Sequence, residues 1–341
     1  MAPLRRAHGF IHRPILWLAL GGFGAQTALR LRQRAHQRLD SIPKSWRFVV
    51  VDFTSDAPMP DGLPSNAGET SDEALSVGFD REELGLLDTS QWNVPGLADR
   101  IEAGEPDAAW LREIVHPAIL REYPGGEALA IPAMARVLAA YAAFRNGERS
   151  WVAKIRRGLE YLAQDGPGRQ KLLQAGTPGH LIDPNPVTQV VLIAGACGGT
   201  GRGLLIPAAA TTTSLARRIG PVQLHAYISV GHYREKDGRE FKKAALSQSL
   251  LMDLERVMRP TAHVRFPLGP HRIAETHSRL FESVGCIDAS GPLLHNPDAV
   301  VERAVDALWY WYATRQGSAL SKSRDNIRFE PRATLAREEM T

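Results

Sequence analysis

Three stretches of the chain are apolar at almost every position: Pro14–Leu20 (PILWLAL), Arg47–Phe53 (RFVVVDF) and Gln189–Gly195 (QVVLIAG). A strand covered on one face alternates apolar and polar residues. An unbroken apolar run of this length fits a strand covered on both faces, as in a parallel sheet. Further strands are predicted at Val222–Val230, Ala262–Pro267 and Ser283–Asp288. Between them the pattern predicts helices over Ala25–Leu39, Asp107–Ile119, Ile131–Arg145, Trp151–Leu162, Leu204–Ile219, Gly238–Met258 and Pro297–Thr314, with Gly166–Pro186 rich in turns. Pro132 in a first turn and Gly147 after a last one fit helix start and stop signals. No repeat of fixed period is present. Alternating strands and helices predict an α/β fold built on a doubly wound, mostly parallel sheet.

Composition narrows this picture. The 341 residues are 44% hydrophobic and 23% charged, a globular composition large enough for one big domain or two ordinary ones. The net charge of +4 is unevenly spread. Residues 1–50 hold nine Lys/Arg and one acid; residues 51–130 hold four Arg and seventeen acids. A uniform basic face for nucleic acid is therefore not expected. Much of the acid lies in a Pro-, Gly-, Asp- and Glu-rich stretch, residues 57–106, read as a loosely structured insertion. The basic residues Arg30, Arg32, Arg34 and Arg38 of the first helix are read as a solvated face. The apolar run Pro14–Ala25, about 12 residues, is too short to span a bilayer, and no small-residue cleavage site follows it, which favours a cytoplasmic protein. Cys197 and Cys286 are expected as buried thiols, and His225, His232, His263, His271 and His277 share no i, i+4 helical pair or Cys companion, so no metal site of the protein's own is expected.

The chemistry-bearing feature is a pair of strand–glycine–helix turns. The first is Gly21-Gly22-Phe23-Gly24 and the second is Gly198-Gly199-Thr200-Gly201-Arg202-Gly203. Glycine lets backbone approach an anion closely, and the amides of the following helix then face phosphate oxygens. The dinucleotide fingerprint fits the first turn poorly, because its third glycine falls on Thr27. Neither turn carries a P-loop lysine.

The second turn resembles the tubulin signature, shared with the bacterial division protein FtsZ, with Cys197 at its first position and Arg202 where the family has Ser. The other pieces follow in the family's order. Gly21, Gly22, Gly24, Ala25 and Gln26 look like the first nucleotide loop. Asp52, with Thr54 two residues on, looks like the loop after the second strand. Gly125 and Gly126 look like the γ-phosphate-sensing loop. Glu240, or Glu235, would meet the ribose, and Asn296 and Asp298 would face the guanine ring from the head of helix Pro297–Thr314. The acidic insertion is similar to that of the bacterial tubulin-like domain proteins.

This resemblance spans about residues 14–326. It implies that residues 1–326 form one tubulin-like nucleotide domain, with 327–341 a short tail and the family's C-terminal domain absent. It implies binding of GTP or GDP with Mg²⁺ at Gly21–Gln26, Asp52–Thr54, the Gly125 region and Gly198–Gly203. It also implies self-association as a homo-oligomer or filament, in which an acidic loop of the next subunit completes hydrolysis. Asp325, beside Asn326, is the acid at that position. Whether turnover occurs stays open between a GTPase and a non-hydrolysing scaffold. A Rossmann-type NAD(P) oxidoreductase is the rival; its ribose acid would be Asp52, 28 residues after Gly24, where about 20 is usual. The run Trp309-Tyr310-Trp311-Tyr312 must point all round a helix, so core packing is expected with part of it exposed, and a protein partner there is the sharper alternative.

Overall fold

The computed structural model describes residues 10–53, 79, 83–85, 87, 94–122, 131–174, 181–182, 187–230, 240–288 and 297–314. Its centre is a five-stranded, all-parallel sheet. In chain order the elements are β1 (Ile11–His12), β2 (Ile15–Leu20), α1 (Gly21–Leu39), β3 (Trp46–Val51), α2 (Val94–Glu102), α3 (Pro117–Glu122), α4 (Pro132–Arg145), α5 (Trp151–Leu162), α6 (Pro167–Gln174), β4 (Leu181–Ile182), β5 (Thr188–Gly195), α7 (Gly199–Ile219), β6 (Val222–Val230), α8 (Glu240–Val257), β7 (Val264–Gly269), β8 (Arg272–Thr276), β9 (Ser283–Asp288) and α9 (Pro297–Ala313). The central sheet runs β3-β2-β5-β6-β9. Leu84 and Leu87 bridge in parallel to Val50 and Phe53, extending its β3 edge.

The apolar runs explain why the sheet is central. All six residues of β2 are buried, and successive side chains enter opposite layers. Leu16, Leu18 and Leu20, with Val190, Leu192 and Ala194 of β5, pack against α4, α5 and α7. Ile15, Trp17 and Ala19, with Val191 and Ile193, pack against α1 and α9. Trp17, Trp46, Phe48, Trp309 and Tyr312 meet there edge-to-face and stacked, with centroids 5.2–6.4 Å apart. Trp309 and Tyr312 are thus core residues, whereas Tyr310 is 38% exposed.

The basic face of α1 is not simply solvated. Arg30 bonds Asp298 and Glu302, and Arg34 bonds Glu302 and Asp306. Partners advance together by four residues along both helices, so α1 and α9 run parallel. Arg32 is paired with Glu83, and Arg38 lies over the Trp309 ring.

Several boundaries differ from expectation. Both α1 and α7 begin inside their glycine turns, at Gly21 and Gly199, rather than after them. The predicted helix Asp107–Ile119 is a 3-10 turn, Ala109–Glu113, followed by α3, with the break before Pro117. The turn-rich stretch 166–186 contains α6 and β4, and β8 was not foreseen. Cys286 is exposed, not buried. Among the described residues no helix is long and apolar enough to cross a membrane.

At the amino end of the sheet, His225 of β6 is held between Ser283 Oγ (2.8 Å from Nδ1) and Gln189 Oε1 (2.7 Å from Nε2), and the Gln189 amide donates to Gln223. With Nε2–H donating to Gln189, Nδ1 accepts from Ser283, so the neutral ring satisfies both neighbours. Burial, with nearby Arg13, holds the His225 pKa down at about 4, against 6.5 for a free histidine. The unfolded chain binds the proton first, so stability present above pH 6.5 is lost as pH falls towards 4. The full loss is about 3 kcal/mol. Chemical denaturation between pH 7 and 4 should therefore show a decline that is shallower in His225→Gln.

Candidate functional site

The chain leaves β2 for β3 on one side and leaves β5 for β6 on the other, so the carboxyl ends of the adjacent strands β2 and β5 are the switch point of the sheet. Open α/β sheets bind ligands there. Both glycine turns lie at these two ends, and they touch. A Cβ on Gly21, where φ is +71°, would stand 3.0 Å from the Gly201 nitrogen and 3.2 Å from Thr200 Cβ.

Neither α1 nor α7 has a side-chain cap or an acidic residue in its first turn. Orphan amides and the positive ends of two helix dipoles therefore meet at one place, an arrangement suited to an anion. Both helices are long, 19 and 21 residues.

The glycines divide into two kinds. A Cβ on Gly24 would overlap the Ile193 carbonyl oxygen; one on Gly201 would stand 2.9 Å from Gly195 N and O; one on Gly203 would stand 2.7 Å from the Pro132 carbonyl oxygen. These three are glycine because the helices lie tightly on the sheet and on each other. Gly22 and Gly198 are different. Neither has any atom within 4 Å of its Cβ position, and both are exposed. Gly198 has an extended φ of −86°, which any residue adopts. Packing gives no reason for glycine at either place.

Asp52 follows β3 and turns toward the second turn, where the Thr200 hydroxyl donates to it; its Oδ1 also accepts from the Phe53 amide at 2.9 Å. Burial outweighs these two bonds and raises the Asp52 pKa to about 6. A carboxyl that ionises near pH 6 at the amino end of α7 is a natural ligand for a cation that accompanies an anion.

Ala25 is buried and Gln26 exposed in the second turn of α1. Arg202 lies one turn into α7: its amide donates to the Gly198 carbonyl (3.2 Å) and its guanidinium to Ser249 Oγ of α8 (2.7 Å). Asp298 is 77% exposed and pairs with Arg30, which lies about 14 Å along α1 from Gly21. The structure thus brings Gly21, Gly22, Gly24, Asp52 and Gly198–Gly203 together, and places Asp298 at the head of α9 against Arg30 of α1. Thr54, Gly125, Gly126, Glu235, Asn296, Asp325 and Asn326 lie outside the described residues, as does the side chain of Glu240.

One supporting pair was missed by sequence reasoning. Pro207 sits inside α7 and has no N–H, which frees the carbonyl of Gly203 four residues earlier. Arg136 Nε of α4 donates to that carbonyl at 3.2 Å, beside the contact that requires Gly203. A proline four residues after a glycine was the available signal, but the donor comes from a distant helix.

A family model described as tubulin-like matches residues 16–280, an interval that contains both turns and Asp52. No curated protein matches the chain.

The raised Asp52 pKa has a measurable sign. Folding favours the protonated carboxyl, so its contribution is fully present below pH 3.8 and lost as pH rises through 6. Asp52→Asn, which keeps an acceptor for Thr200, should stabilise the ligand-free protein at pH 8 by about 1–3 kcal/mol and leave it little changed at pH 4, read by denaturant melts.

Proposed function

The chain belongs to the tubulin-like family, and from that premise we propose that it binds a guanine nucleotide, GTP or GDP, with Mg²⁺ at the meeting point of α1 and α7. The observation that carries this reading is the pair Gly22 and Gly198. Each is exposed, has no packing reason to be glycine, and stands at an uncapped helix amino end. Phosphate oxygens lying against these positions supply the missing reason, because a side chain there would hold them off the amides. The backbone N–H groups of both first turns donate to the phosphates, while the Thr200 hydroxyl orients Asp52.

Asp52 fits the accompanying cation: its carboxyl is partly buried, faces the second turn and accepts from two neutral donors, the Phe53 amide and the Thr200 hydroxyl. Mg²⁺ neutralises phosphate charge when bound, and ionised Asp52 would hold it, directly or through water. Thr54, Gly125, Gly126, Glu240 and Asn296 complete the proposed pocket. Arg202 and Asp298 contribute from its margins, Arg202 by anchoring α7 to Ser249 and Asp298 by tying the head of α9 to α1.

Self-association belongs to the same proposal, with Asp325 of a neighbouring copy as the acid that completes hydrolysis. The exposed Tyr310 and half-exposed Trp311 leave α9 a small outward aromatic surface for a protein partner. The oxidoreductase reading is weaker. It needs Asp52 to face a ribose, whereas Thr200 draws the carboxyl towards the second glycine turn.

Titration of the protein with GTP, ATP and NAD, followed by phosphate release at rising protein concentration, tests the reading. GTP should bind best, and only with Mg²⁺. Gly22→Val and Gly198→Val should each weaken GTP by about tenfold or more, with little change in the nucleotide-free melting midpoint. Gly24→Ala should lower that midpoint instead. Preference for NAD, or undiminished GTP binding in both valine variants, overturns the site.

A further inference from the structure

The ribbon formed by β7 and β8 carries its own cluster of donors, away from the glycine turns. The antiparallel register pairs Val264 with Thr276 and Arg265 with Glu275. Side chains alternate across the pleat, so Val264, Phe266, Ala274 and Thr276 face inward and are buried. The outward face therefore gathers residues 263, 265, 275 and 277. Two of these, His263 and His277, come together as neighbours across the ribbon, with parallel rings 4.5 Å apart at 17°.

Glu275 lies between their nitrogens. Its Oε1 is 2.7 Å from His263 Nε2 and 3.6 Å from His277 Nε2, and one donor atom from each of the three residues falls within 4.8 Å of the others. Arg265, the register partner of Glu275, reaches Glu113 at 3.7 Å. Neutral rings each offer a lone pair, and the carboxylate adds negative charge. The set therefore favours a cation held by two nitrogens and one oxygen.

We propose that His263, Glu275 and His277 form a binding site for a divalent transition-metal ion such as Zn²⁺ or Co²⁺. Two imidazoles and one carboxylate suit these borderline ions and not Mg²⁺ or Ca²⁺, which take oxygen ligands. Three protein donors on an exposed ribbon leave at least one position for water or for an outside ligand. The inward face of the ribbon packs in the core layer that contains α4 and α7, so the three side chains project from a supported backbone.

Helical i, i+4 spacing is not what builds this cluster. His263 and His277 are brought together by strand pairing, which places residues adjacent at any separation in sequence.

Co²⁺ absorption with the untagged full chain, followed by displacement with Zn²⁺, tests the proposal. The expected result is saturable binding of one equivalent, weakened about tenfold or more in His263→Gln and in His277→Gln. Metal-free melting midpoints should stay near that of the parent, since the ligand face is exposed. A double variant that keeps Co²⁺ within about threefold of the parent affinity overturns the site, as does absence of saturable binding up to about 1 mM.

Discussion

The close approach of Gly21 to Thr200 Cβ and the Gly201 backbone holds the rest of the architecture in place. Two parallel strands end side by side; β2 feeds directly into α1, and β5 reaches α7 on the opposite layer after three residues. For the helices to start that soon, their first turns must press against each other and against the strand ends. A Cβ on Gly24 or Gly201 would collide with backbone of β5 or the residue closing it. Backbone cannot give way as a flexible side chain can, so the space is set by glycine. The same demand extends outward at Gly203, where α7 meets α4, and Arg136 satisfies the carbonyl that Pro207 leaves open.

This crowding has an electrostatic consequence. Neither helix carries a side-chain cap or an acid in its first turn, so the positive dipole ends of both are left uncompensated at the junction. Asp52 accepts from Thr200 in the second turn, and desolvation keeps it half-protonated near pH 6. The other end of the sheet has the opposite arrangement: His225 is buried neutral and fully hydrogen-bonded. Between pH 4 and 6.5 the two groups pull stability in opposite directions. Their two contributions therefore partly offset each other.

Much of this was legible in the sequence, for physical reasons. Strands such as PILWLAL are buried on both faces and need no partner information to be read as central. The glycine turns stood out because four glycines in six residues have few other uses. What escaped reading depends on pairing in space. Helix starts were placed after the glycines because glycine is a poor helix former, yet tertiary packing makes the glycines themselves the first turn. The arginines of α1 looked solvated until Asp298, Glu302 and Asp306 arrived on a parallel helix about 270 residues downstream. The stacked histidines depend on a ribbon whose second strand, RIAET, is too short and polar to announce itself.

A glycine-rich turn is often taken whole as a sign of ligand binding, and here that would mislead. Gly24, Gly201 and Gly203 would be required even if nothing were ever bound, because the helices could not otherwise lie where they do. Losing ligand after changing one of them says nothing about contact, since the fold is disturbed first. Only a glycine with ordinary backbone angles and empty space around it points outside the protein. Gly22 and Gly198 meet that condition, one in each turn, at the switch point of a parallel sheet. That two such positions occur on opposite sides of one junction is harder to explain by packing than any single motif match, and it supports the proposed ligand, an anion large enough to touch both turns.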